Sequence, residues 1–337
     1  MMPGKKGYAG LAVELFVAIC LSVYFFFLML PMADAPRRTD GNEMNIYLFT
    51  YMSEHPYSTT NMIADFDNWR GRLAGPMLSG WVYDHFPMPA GQDIIHTGVL
   101  YNDYVTTLTA NIFGIYHATW LLLLFLILIV HRKDALLIML GVFSGIMYNL
   151  ALPSGEWFYP WDIPSMMFFT WAWLLYDRRQ ILSMALVIWI GSLFKETALC
   201  CAILILMNAG WPVKKRILVF VGLAAVCVAT RKLMMWSFGV HTLFFALNNV
   251  GSLGTMISAT FSQVIANVEK LTSFNLNHVL FANAGALLIM LLLPWRGRRM
   301  IEFKLLALVF ICGQFMFGLI DEFRIWYELL PLGWMII

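Results

Sequence analysis

The chain has 337 residues, of which 60% are hydrophobic and only 12% charged, and its mean hydropathy is +0.71. Soluble domains run near a quarter charged, so this composition excludes a water-soluble globule. The formal net charge of +2 decides little, because in a membrane protein the placement of charge along the chain carries more than its sum.

Several stretches stay apolar for about 18 or more residues, the length that crosses roughly 30 Å of hydrocarbon as a helix. The short alternating segments of a transmembrane barrel are absent. The expected fold class is all-α: a polytopic transmembrane helix bundle of about 8 to 10 membrane segments, with a short helical hairpin and amphipathic exterior helices. Residues 1–337 read as a single transmembrane domain.

In chain order, the first span is expected over 8–32, after Lys5 and Lys6. It resembles a secretion signal, and Ala33-Asp34-Ala35 mimics a cleavage site. Pro36 beside the cut and the length of the run favour an uncleaved signal anchor. An exterior stretch over 33–107 follows, in which 44–52 and 72–86 repeat apolar residues at helical spacing. Further spans fall at 108–130, 135–152, 161–176, 181–210 and 216–236. A second exterior stretch, 237–275, mixes Ser, Thr and Asn with Leu and Phe and reads as interfacial helices. The last spans are placed at 276–294 and 303–320.

Basic residues punctuate this pattern: Lys5 and Lys6, Arg132 and Lys133, Arg178 and Arg179, Lys214 to Arg216, then Arg296, Arg298, Arg299 and Lys304. The positive-inside rule assigns them all to the cytoplasm, with the N-terminus, in a bacterial inner membrane. A single straight crossing from Ile181 to Gly210 would put Lys214 to Arg216 on the wrong side. Phe194-Lys195-Glu196-Thr197 interrupts that run near its middle, so a hairpin of two short arms is expected, each about 20 Å long at 1.5 Å per residue. Its tip should lie below the exterior surface, where non-helical backbone is tolerated only beside protein or water. In this threading 13 of the 22 Lys and Arg are cytoplasmic and sixteen of the 20 Asp and Glu are exterior.

Ionisable residues at membrane depth are costly and point to function by default. Those expected at the exterior end are Asp40 and Glu43, Asp65 and Asp67 with Arg70 and Arg72, Glu156 and Asp162, Lys195 and Glu196, and Asp321, Glu322, Arg324 and Glu328. Arg231 and Lys232 break the inside rule, at the exterior end of the sixth full crossing. Two cations there suit a lipid phosphate or pyrophosphate through charge-assisted hydrogen bonds.

Each group also has a purely structural reading. Lys195 and Glu196 could form an ion pair that fixes the hairpin. Asp162 with Pro164 could be a helix cap and first-turn proline, and Arg70 and Arg72 could snorkel at the interface. The thirteen Trp and twenty-two Met read mostly as belt and packing residues. The five Cys all lie in apolar runs and the seven His lack ligand spacing, which argues against a disulfide framework or a metal site.

A signal-anchor span, a long exterior loop with an acidic pair, Arg70-Gly71-Arg72-Leu73-Ala74-Gly75-Pro76, a short-armed hairpin and a terminal Glu-x-Arg segment together resemble the C superfamily of membrane glycosyltransferases (GT-C). The chain is also similar to bacterial multi-pass proteins carrying Asp-x-Pro, Arg/Lys-Glu-Thr and Glu-x-Arg-x-x-x-Glu-Leu-x-Pro patterns. Here these read Asp162-Ile163-Pro164, Lys195-Glu196-Thr197 and Glu322 to Pro331. The resemblance implies transfer of a sugar from a polyprenyl-phosphate donor to an acceptor at the exterior face. It casts Asp40 as the base that deprotonates the acceptor hydroxyl and Glu43 as second choice or metal helper. Arg70, Arg72, Asp162, Lys195, Glu196, Arg231, Lys232, Glu322, Arg324 and Glu328 are the expected substrate-binding residues, with cations supporting the departing lipid phosphate.

No cofactor is required by this reading, and a divalent cation is the one candidate. Partners are membrane lipid, including a polyprenyl-phosphate sugar, and other proteins within the membrane, but no nucleic acid. Two other classes compete: a transporter built on a broken helix and a structural subunit of a membrane assembly.

Overall fold

A computed structural model of the protein describes residues 7–34, 74–75, 77–78, 81, 103–151, 161–237, 261–269, 292, 297–317 and 323–336. The described residues form helices, with short turns at 132–134, 178–180 and 208–212, and no strand among them. In chain order the helices are α1 (Tyr8–Asp34), α2 (Asp103–His131), α3 (Ala135–Ala151), α4 (Asp162–Asp177), α5 (Ile181–Phe194), α6 (Ile203–Met207), α7 (Val213–Ser237), α8 (Arg298–Phe317) and α9 (Leu330–Ile336). Two 3₁₀ segments, Glu196–Ala202 and Phe323–Leu329, lead into α6 and α9. A helical segment at 261–269 lies within the second expected exterior stretch. The span expected at 276–294 falls outside the described residues apart from Leu292.

Three helical stretches are long and apolar enough to cross a membrane: Tyr8–Met29, Gly114–His131 and Val213–Met234. Large apolar side chains on them point outward, among them Phe16 and Phe27 on α1 and Leu218 and Leu233 on α7. Such a surface is stable in hydrocarbon and costly in water. Shorter apolar helices, Ala135–Tyr148, Ile181–Phe194 and Glu196–Met207, pack with them.

α1 and α2 pack side by side and share a groove lined by Ile19 and Phe26 of α1 and Ile115 and Leu122 of α2. Gly114 permits that approach: a Cβ there would lie 2.7 Å from the Phe26 ring. The chain turns back on itself at Lys195. α5 ends at Phe194, Lys195 takes an extended conformation (φ −153°, ψ 136°), and the chain re-enters helical geometry at Glu196. The return is tight, since a Cβ on Gly191 would meet Phe168 Cβ at 2.8 Å and Ala198 Cβ at 3.1 Å. The start of α5 at Ile181 and the residues after α6, Asn208 to Gly210, consequently line one cavity.

Helix C-termini expose carbonyl groups that apolar surroundings cannot satisfy. Arginines from elsewhere in the chain fill that role. Arg178 Nη2 donates to Val130 O (3.2 Å) and His131 O (3.3 Å) at the end of α2. Arg132 Nη2 donates to Met335 O (3.2 Å) at the end of α9. Arg216 Nη1 donates to Leu206 O (2.9 Å) and Arg298 Nη2 to Met207 O (3.4 Å) at the end of α6. These bonds bring Arg132, Arg178, Arg216 and Arg298 to one end of the molecule, where Arg299 also pairs with Asp177 at 2.8 Å.

Candidate functional site

At the opposite end of α4 and α5, roughly 20 Å along the helix axes, three of the singled-out charges meet. Lys195 Nζ lies 2.8 Å from Glu328 Oε1 and 3.4 Å from Asp162 Oδ1. All three residues are buried: Asp162 is 1% exposed, Lys195 3% and Glu328 0%. Ser165 Oγ and Thr197 Oγ1 donate to the same Glu328 Oε1 at 3.0 and 2.9 Å. One carboxyl oxygen thus gathers an ammonium and two hydroxyls, while Glu328 Oε2 has no hydrogen-bond partner among the described residues.

Local structure explains the convergence. Asp162 and Ser165 are three residues apart on α4 and share a face. Trp161, not Asp162, holds the N-cap position and no side chain caps that end, so the Asp162 carboxyl goes to Lys195 instead. Lys195 is the extended residue between α5 and the first 3₁₀ segment. In extended backbone successive side chains point to opposite sides, and the two neighbours part company: Lys195 turns toward Asp162 and Glu328, Glu196 toward Arg231. The side chain of Trp120 and those of Phe168 and Phe194 pack beside the break, with ring centroids 5.2–5.9 Å apart.

Arg231 on α7 forms the adjoining pair. Its Nη2 lies 3.3 Å from Glu196 Oε2 and its Nη1 donates to Ser192 O at 2.6 Å, capping an end carbonyl of α5. Trp189 Nε1 donates to Thr230 Oγ1 at 3.1 Å and draws the same two helices together. The cation read as a partner for lipid phosphate is therefore buried and already engaged by protein. Lys232, the next residue, is half-buried on α7.

Asp40, Glu43, Arg70, Arg72 and Glu322 lie outside the described residues. Arg324 falls in the 3₁₀ segment Phe323–Leu329, its side chain also outside them. Of the expected site residues, the structure thus joins Asp162, Lys195 and Glu328 in one cluster and Glu196 and Arg231 in a second beside it. Ser165 and the Ser192 carbonyl were not signalled by the sequence motifs. Ser165 was reachable from its three-residue spacing to Asp162; the carbonyl had no side-chain signature. Among the described residues no three His, Cys, Asp or Glu gather as metal ligands.

The arrangement can hold charge in a low-dielectric setting and present hydroxyls and a carboxyl group together, which suits polar-substrate binding or proton movement. No family model, curated protein or solved structure matches the chain.

Proposed function

We propose that this chain is a polytopic protein of a bacterial inner membrane and acts as a GT-C-like glycosyltransferase, moving a sugar from a polyprenyl-phosphate donor to an acceptor at the exterior face. The observation that carries the reading is the meeting of Asp162, Lys195 and Glu328. They belong to the Asp-x-Pro, Lys-Glu-Thr and Glu-x-Arg-x-x-x-Glu patterns that the chain shares with bacterial multi-pass membrane proteins, three short motifs far apart in sequence, the last of which is also the terminal Glu-x-Arg segment of the GT-C resemblance. Chance motifs carry no requirement to share a site.

In this reading Asp40 deprotonates the acceptor hydroxyl, with Glu43 as its alternate or as a helper to a divalent cation. The Asp162–Lys195–Glu328 cluster forms the polar floor beneath the reacting groups. Arg231 and Glu196 hold the end of α5 in place, and Arg70, Arg72, Lys232, Glu322 and Arg324 supply the donor-phosphate and acceptor contacts.

The test is transfer from a sugar-loaded polyprenyl phosphate by the purified full chain in liposomes. Asp40→Asn should lower the rate by about 100-fold or more, the usual contribution of a general base, while folding is unchanged. An unaltered rate removes Asp40 from the mechanism, and no transfer by the unmodified chain removes the enzyme reading. A transporter reading draws on the extended break at Lys195 with its buried ionic partners, as in transporters with discontinuous helices. Solute flux in the same liposomes, without transfer, would favour it. A structural subunit would show neither.

A further inference from the structure

A cavity of about 420 Å³ opens at the arginine-rich end, lined by Tyr176, Arg179, Asn208, Arg298, Arg299 and Glu302 among others. Its acids are already neutralised from within the wall. Arg298 Nε donates to Glu302 Oε1 at 2.6 Å, Tyr176 Oη donates to the same oxygen at 2.8 Å, and Arg299 Nη2 lies 2.8 Å from Asp177 Oδ1. The carboxyl groups sit inward and the guanidinium groups outward: Glu302 and Asp177 have side chains 10% and 29% exposed, Arg298 and Arg299 58% and 71%. Each acid therefore anchors and orients an exposed arginine; Arg298 Nη2 also donates to Met207 O at 3.4 Å, and the N–H groups left over on the two side chains are those open to a ligand.

The third cation, Arg179, stands where stability alone would choose another residue. Arg179 N donates to Tyr176 O at 2.8 Å and Gln180 N to Leu175 O at 2.9 Å, so the end of α4 closes through a left-handed residue. Arg179 has φ 62°, the one non-glycine residue with positive φ among those described. Glycine is the usual occupant of this position, because a side chain there is strained. The strained position places a long cation against the cavity, within its lining.

Three arginines against two acids leave the lining with a net positive charge. Beside the lining residue Gly210, Trp211 carries Lys215 4.2 Å above its ring. Exposed apolar side chains begin immediately beside the cavity, at Leu182 and Ile301, each adjoining a lining residue or its neighbour. Its mouth thus stands where exposed apolar side chains adjoin exposed arginines, the pattern expected at the edge of a lipid-facing surface. We infer that this cavity binds a phosphate group, held by Arg179, Arg298 and Arg299, and that the boundary position selects the headgroup of an anionic phospholipid as its source. Arginine suits this task because its planar fork matches phosphate oxygens two at a time, and basic pockets between membrane helices hold such headgroups.

The full chain, purified in detergent, is titrated with phosphatidylglycerol, phosphatidylcholine and inorganic phosphate at raised ionic strength, with bound lipid read by native mass spectrometry and phosphate by thermal shift. Phosphatidylglycerol should bind in preference to phosphatidylcholine, and Arg299→Gln should weaken it about tenfold, the value of one charge-assisted hydrogen bond. Arg179→Gly is the decisive variant. It relieves the strained turn, so its melting temperature should hold or rise while lipid binding falls. Lys133→Gln removes a charge from the same end but outside the cavity and should leave binding unchanged. Saturable binding of inorganic phosphate lost in Arg179→Gly, with no preference for the anionic lipid, would keep the phosphate site and overturn its lipid source. Equal binding by unmodified chain and Arg179→Gly, or equal loss in Lys133→Gln, would overturn the site itself.

Discussion

Lys195 Nζ sits 2.8 Å from Glu328 Oε1, tying the point where α5 breaks to the 3₁₀ turn that precedes α9. Both side chains are buried, so the contact stands or falls as a unit: an ionic group left alone in such a place is far costlier than the pair is beneficial.

Lys195→Met should therefore destabilise the fold by about 3–5 kcal/mol, the usual result of removing one partner of a buried ionic contact. Combining it with Glu328→Gln should cost less than the two single changes added together, by more than about 1 kcal/mol, because residues in contact couple. Denaturant unfolding in micelles measures all three variants. Simple additivity would show that the two groups do not depend on one another.

Arg231→Gln removes the donor to Ser192 O as well as the partner of Glu196. The expected loss is about 1.5–3 kcal/mol, the range for a hydrogen bond to a charged group. Glu196→Gln should cost much less, since that carboxyl group is one-third exposed. Arg231→Lys should fall between, keeping the charge but unable to reach both acceptors with a planar fork. Equal losses for Arg231→Gln and Glu196→Gln would mean that the carbonyl cap at the end of α5 contributes nothing.

Much of the helical layout was legible in the amino-acid order. The expected spans at 8–32, 108–130, 135–152, 161–176 and 216–236 overlap helices Tyr8–Asp34, Asp103–His131, Ala135–Ala151, Asp162–Asp177 and Val213–Ser237. Apolar run length and basic punctuation carry that information locally. Pairing was less legible. Lys195 and Glu196 adjoin in sequence and invite a mutual ion pair, but one extended residue sends them to different partners, and backbone conformation at a single position leaves no mark in composition. Arg231 reads as a ligand for lipid phosphate because its position breaks the inside rule, and its contacts with Ser192 O and Glu196 left no such mark. The need it serves, an open carbonyl at the end of α5, exists only once α5 is known to stop at Phe194.

Gly191→Ala should cost about 1–3 kcal/mol through overpacking, because the new methyl group would press on Phe168 and Ala198, neither able to retreat from a shared apolar core. Melting temperature in micelles reads the loss. Gly222→Ala, where no atom lies within 4 Å of the added carbon, serves as the neutral comparison and should match or exceed the unmodified protein. A Gly191→Ala melting curve that overlays the Gly222→Ala curve would show that the return at Lys195 is looser than described.

Cysteine substitution tests the threading. On a cysteine-free background, Lys133→Cys, Lys215→Cys and Arg299→Cys should all react with an impermeant maleimide from the same side of intact vesicles. Labelling of Lys215→Cys from the side opposite to Lys133→Cys would mean that the stretch from Ile181 to Gly210 crosses only once.

The guanidinium groups of Arg132, Arg178, Arg216 and Arg298 have two duties at once. As charges they belong to the basic clusters that, in the proposed topology, set which way a segment faces; as donors they close the open ends of α2, α6 and α9. A lineage that drifted toward the inverted orientation by neutralising them would unlace three helices in the same step. In the proposed topology, facing direction and tertiary closure thus share four side chains, and a change at any of them touches both.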